Sequence, residues 1–164
     1  MKCGKHSCMK RMFVFLFVLI AICSIFFVRT YNYKLPDELD GDFYIYTNST
    51  FDVSSCDVEI VKNGPGLILK GKKEDIEKLN IPSSVVGGYS VFLDENTYNA
   101  HDIMNQLDFV VKKSSKLNGD IETFYGYSSY GGRSVKVGSH RVNCQVAINA
   151  NGIIVGFPLI LGSY

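Results

Sequence analysis

Thr97-Tyr-Asn-Ala-His-Asp-Ile-Met-Asn-Gln-Leu-Asp-Phe-Val-Val-Lys-Lys-Ser114 is the stretch on which the reading of the fold turns. Its apolar positions Ala100, Ile103, Met104, Leu107, Val110 and Val111 recur at i, i+3, i+4 and i+7, the repeat of one helical face. Thr97 suits an N-cap, and Lys112, Lys113 and Lys116 fall at the far end, where the helix dipole favours cations. Asn118-Gly119 supplies a stop. The spacing therefore predicts one amphipathic helix over about 97–114. A helix with a single apolar stripe needs a sheet face to receive it.

The flanking segments provide that sheet. Upstream, Phe43-Tyr-Ile-Tyr-Thr47 has the aromatic and β-branched content of a strand. Cys56–Val61 alternates, and Asn63-Gly-Pro-Gly66 then turns the chain into Leu67–Lys70, which predicts a hairpin. Lys72–Leu79 reads as a short polar helix ended by Asn80 and Pro82, and Tyr89–Leu93 as a further strand. Downstream, Ile121–Tyr127, Val135–Val137, Val142–Asn149 and Ile153–Phe157 are separated by Ser128–Ser134, Gly138–Ser139 and Asn149–Gly152. Strands on such short connections pair antiparallel. The class expected is α+β: an antiparallel sheet carrying one main helix (about 97–114) and one short helix (about 72–79).

Ahead of this domain, Met12–Val28 is a run of 17 residues without a charge. As a helix it is about 25 Å long, slightly short of a ~30 Å hydrocarbon core, and Arg11 and Arg29 can snorkel to close the difference. Basic residues dominate before the run and acidic ones after it, so the positive-inside tendency leaves the N-terminus in the cytoplasm. The expected layout is a basic cytoplasmic tail (1–11), a transmembrane signal anchor (12–28), a linker (29–41) and an extracytoplasmic domain (42–164). Cleavage is the alternative, giving a secreted domain. Its best cut site, at Ala21-Ile22-Cys23, lacks the small residues a signal peptidase prefers.

Charge divides along the same boundary. Five of the 17 basic residues precede Thr30 and all 16 acidic residues follow it, which leaves the domain at a formal charge of −4. That balance argues against nucleic acid as a partner, because phosphate binding rests on Lys and Arg.

The chain offers little catalytic machinery. Cys3, His6 and Cys8 lie in the basic tail as three scattered donors without a second pair, so no metal site is expected there. Cys56 and Cys144 are the two thiols on the oxidising side; they either pair as a disulfide or stand as separate core thiols. Cys144 with His140 or His101 is the one candidate nucleophile–base pair. On a strand through Val142, Cys144 and His140 would stand about 13 Å apart, and His140 is expected in the loop with Ser139. The carboxylate pairs Asp37/Glu38, Glu74/Asp75 and Asp94/Glu95 fall in linkers, helix starts or turns. No phosphate loop, nucleophile elbow or zinc-protease pattern occurs. No catalytic residue, cofactor or metal is therefore assigned. The candidate binding residues are Tyr125, Tyr127, Tyr130 and Arg133, set among glycines at a strand end, as contact surfaces often are.

The ordered motifs Tyr125-Gly-Tyr127-Ser, Arg141-Val-Asn-Cys-Gln-Val-Ala147 and Ile154-Val-Gly-Phe-Pro-Leu-Ile160, ending at Tyr164, carry a resemblance. With the helix before them, over roughly Val91–Tyr164, they resemble the YwmB family of extracytoplasmic proteins of Gram-positive bacteria. That family's fold is described as TATA-box-binding-like. This chain is shorter and has a glycine-rich turn after its Y-G-Y. The resemblance implies a membrane-targeting segment and a helix-on-sheet fold, and it brings no catalytic residue, ligand or DNA-binding role. The expectation is a non-catalytic, membrane-anchored module that meets envelope proteins or wall polymer, with a small Cys–His envelope enzyme as the alternative.

Overall fold

The computed structural model describes residues 33–53, 57–94, 97–117 and 121–161. The expected anchor, the expected cytoplasmic tail and Cys56 lie outside the described residues. No described helix is long and apolar enough to cross a membrane.

Eight strands form one antiparallel sheet: β1 (Asp42–Thr47), β2 (Glu59–Asn63), β3 (Gly66–Gly71), β4 (Val86–Leu93), β5 (Val110–Leu117), β6 (Ile121–Tyr127), β9 (Cys144–Asn149) and β10 (Gly152–Phe157). Their spatial order is β2-β3-β1-β4-β10-β9-β6-β5, with β7 (Val135–Val137) and β8 (His140–Val142) paired as a separate hairpin. Helix α1 (Lys73–Lys78) joins β3 to β4, and α2 (Ala100–Gln106) joins β4 to β5. The α+β antiparallel architecture expected from the sequence is present.

Strand alternation explains how the two faces differ. Phe43 and Ile45 of β1 are buried on one face, while Tyr44 and Tyr46 point to the other. The register carries that parity across the sheet: Phe43 lies opposite Val91, Val91 opposite Val155, and Val155 opposite Val146. Ile76 of α1, Ile103 of α2 and Leu107 at the C-cap of α2 join these residues in one core. Each such fully buried aliphatic side chain is worth about 1.5–3 kcal/mol.

The main helix is much shorter than its periodicity predicts. It covers Ala100–Gln106, and its N-cap is Asn99, whose side chain accepts from the His101 N–H at 2.8 Å, not Thr97. It ends because Asp108 turns left-handed at φ 47°. The Asp108 N–H then donates to the Asn105 carbonyl at 3.0 Å and the Phe109 N–H to the Met104 carbonyl at 2.8 Å. These bonds form a Schellman cap. Val110 and Val111, read as the last turns of the stripe, instead begin β5, which pairs with β6. The lysines that follow lie on an edge strand, where cations discourage stray pairing.

Two smaller corrections concern boundaries. Leu35, Pro36 and Leu39, within the expected linker, are buried against the core, so the packed chain starts earlier than Asp42. The expected strand Val142–Asn149 is two strands, interrupted at Asn143, and His140 opens β8 where a loop was expected. The predicted hairpin is present: Gly64, at φ 58°, and Pro65 form a two-residue loop between paired Asn63 and Gly66.

Beyond the cis Phe157–Pro158 bond, the C-terminal segment folds back over the face that carries no helix. The Ile160 N–H donates to Gln145 Oε1 at 3.1 Å. A Cβ on Gly156 would lie 2.4 Å from the Ile160 nitrogen, so glycine is what admits this crossing.

Candidate functional site

Cys144, the candidate nucleophile, is fully buried in the core. Burial pushes its thiol well above the usual range, so it is held protonated. It is a free thiol that makes a long donation to the Gln145 carbonyl at 4.0 Å. His101 and His140 are exposed, on α2 and β8. The proposed partner of Cys144 in a disulfide, Cys56, lies outside the described residues.

The four candidate binding residues do not form one patch. Tyr125 and Tyr127 share the parity of the helix-free face. Tyr130 packs on the core and its hydroxyl donates to Glu38 Oε1 at 2.5 Å. That bond holds the Glu38 carboxyl below its usual range and the Tyr130 phenol above its own. Arg133 lines a small crevice of about 30 Å³ with Tyr33, Phe157 and Pro158.

What organises this region is a pair of buried polar side chains. Asn143 Nδ2 donates to the Ser128 and Gly131 carbonyls at 3.0 and 2.6 Å, and its Oδ1 accepts from the Ser128 N–H at 2.8 Å. The Ser128 hydroxyl in turn donates to the Leu107 carbonyl at 2.7 Å, at the end of α2. One asparagine thus ties the Tyr125–Ser128 motif to the strand motif. Gln145, two residues on, ties the same strand to the C-terminal motif through Ile160.

The concave surface was not evident in the sequence; it runs from the end of the sheet, beside Lys72, Leu93 and Ile153, onto the helix-free face. One part is a cleft of about 510 Å³ where β1, β4 and β10 meet. Asp40, Asp42, Asp94, Thr97, Tyr98, Asn149 and Asn151 supply its polar wall. Lys72 bonds Asp42 at 3.1 Å, and that bond raises the Lys72 ammonium above its usual value. Tyr98 braces the rim by donating to the Asp40 carbonyl at 3.1 Å. The second part is a groove of about 410 Å³ lined by Tyr44, Tyr46, Val61, Ile68, Lys70 and Phe92, and closed by Ile160 and Leu161 of the C-terminal segment. Phe92 lines both parts.

Register explains why aromatic residues converge here. Tyr44 pairs with Lys70 on one side and Ser90 on the other, which brings Phe92 to a centroid distance of 4.7 Å from Tyr44 at a tilt of 50°. The Lys70 ammonium stands 5.4 Å from the centre of the Tyr44 ring, within cation–π range. Lys70 is held above its usual value, first by its hydrogen bond to Tyr44. Burial pushes the Tyr46 phenol up. Both parts have the size of ligand sites. No cluster among the described residues has the donors to hold a metal ion. The surface can stack rings, offer carboxylate and amide oxygens, and donate from the Lys72 ammonium. Comparison with family models, curated proteins and solved structures finds no match for this chain.

Proposed function

We propose that this chain is a membrane-anchored, extracytoplasmic, non-catalytic interaction module of the YwmB kind, which holds an extended wall polymer along its helix-free sheet face. The observation that carries this reading is the aromatic groove that meets a polar cleft at Phe92. Ring faces at Tyr44, Tyr46 and Phe92 suit the apolar faces of sugar rings, and Asp40, Asp94, Asn149 and Asn151 suit hydroxyls. The uncharged run 12–28 with its flanking arginines supports the anchor, and the −4 domain speaks against nucleic acid. The Cys–His alternative is disfavoured by its nucleophile: a buried, protonated thiol is poorly placed to attack a substrate.

Photo-reactive phenylalanine analogues at Tyr44 and Phe92, introduced in intact cells, test the reading. Adducts with wall polymer from both positions, absent from a control at Glu74 on α1, are the expected result. Adducts with one protein instead would replace the polymer by an envelope protein, and equal labelling at all three positions would remove the site. N-terminal sequencing of the mature chain tests the anchor, since a start near Ser24 means a secreted domain.

A further inference from the structure

Cations in this domain fall into two populations. In the first half, Lys34, Lys70, Lys72, Lys73 and Lys78 form ion pairs with carboxylates, and Lys62 on the far edge strand stands apart, with no ion pair among the described residues. In the second half, Lys112, Lys113 and Lys116 of β5 and Lys136 of β7 are exposed, and none of them makes an ion pair among the described residues. The β7–β8 hairpin packs beside β5 and β6, and Lys136 faces Arg141 across it. Lys112, Lys113, Lys136 and Arg141 therefore gather at one corner of a domain that is acidic as a whole, while Lys116 lies at the other end of β5 opposite Glu122.

Protection of an edge strand accounts for part of this and not for the rest. Edge lysines keep neighbouring strands away, yet Lys136 and Arg141 lie on a hairpin outside the main sheet. The same corner exposes Val110 at 54%, Val111 at 46% and Tyr127 at 38%, and Val110 pairs directly with Tyr127. Cations beside exposed aliphatic side chains and a tyrosine are the composition of a surface that rests at a lipid headgroup layer.

We infer that the corner formed by β5 and the β7–β8 hairpin docks on the anionic lipid surface of the membrane that holds the chain. This rests on the anchor in the preceding proposal. From Arg29 to Leu35, the first core residue, the chain is seven residues long and reaches at most about 25 Å when fully extended. A tether that short keeps the bilayer at high effective concentration, so weak contacts suffice. Docking there leaves Tyr44 and Phe92, near the opposite half of the sheet, free for a ligand.

The full chain in nanodiscs tests the inference, because both disc faces are accessible and insertion direction does not matter. Acylation rates of Lys112, Lys113 and Lys136 are compared in phosphatidylcholine discs and in discs with about 30% phosphatidylglycerol, with Lys62 on the opposite edge strand as the reference. Slowing by roughly three-fold or more at the three lysines, with Lys62 unchanged and the effect lost at about 0.5 M salt, is the expected result. In K112E/K113E/K136E, hydrogen exchange over Val110–Leu117 should no longer differ between the two discs. Equal rates in both discs overturn the inference. Slowing by added poly-glutamate but not by phosphatidylglycerol also overturns it, and assigns the corner to an acidic polypeptide. Retention of the chain in neutral discs reads the anchor alone; if retention fails, the same rates measured with added vesicles of both compositions still decide the docking.

Discussion

Cys144 shows how one residue can suggest chemistry in a sequence and lose it in a fold. A thiol four residues from a histidine invites a catalytic reading, yet β9 turns Cys144 into the core with Val146, away from solvent. A water-soluble maleimide should therefore leave Cys144 unmodified in folded protein and modify it after urea unfolding, read peptide by peptide in a mass spectrometer. Cys144→Ser places a hydroxyl in that apolar site and should cost about 1–3 kcal/mol in urea unfolding. The Glu38–Tyr130 bond makes a second prediction. The folded carboxyl sits below its ordinary value of 4.5, so its contribution is present above that value and lost as pH falls through the folded value. Tyr130→Phe should flatten the fall in melting temperature between about pH 5 and pH 3 and leave stability at pH 7 lower than in the parent, a difference that fades as pH rises past the phenol's ordinary value of 10.0.

At the scale of elements, helix α2 and strand β5 show where local periodicity misleads. Ala100 to Val111 keeps helical spacing throughout, but Val110 and Val111 are β-branched and Asp108 accepts the left-handed conformation, so strand pairing with β6 wins from that point. Asp108→Val should destabilise the domain by about 1–2 kcal/mol, while Asp108→Gly should be near neutral or slightly stabilising, both measured by thermal unfolding. By contrast, β6 and β7 run as their alternation predicts, and the β2–β3 hairpin forms around Gly64 because the turn chemistry there is local. Asn143 could not be identified as the organiser of the loop after β6: an isolated asparagine between two apolar stretches carries no period, and its three partners come from Ser128 and Gly131.

For the whole molecule, the contact between sheet and C-terminal segment matters most, because Ile160 and Leu161 wall the groove. Gln145→Leu removes the acceptor for the Ile160 N–H and should cost about 1–2 kcal/mol, with faster proteolysis beyond Pro158 as the direct readout. The three motifs that carried the resemblance prove to be bonded to one another, Ser128 to Asn143 on one side and Gln145 to Ile160 on the other. By itself the sequence determined the α+β class, most strand positions, the hairpin and the charge contrast between leader and domain. These depend on side-chain alternation, turn residues and composition, all of which act between near neighbours in the chain. Only the tertiary structure decided the length of α2, the burial of Cys144, the aromatic groove and the cationic corner. Each of those arises from residues far apart in sequence that strand register brings side by side, and register is a property of the assembled sheet.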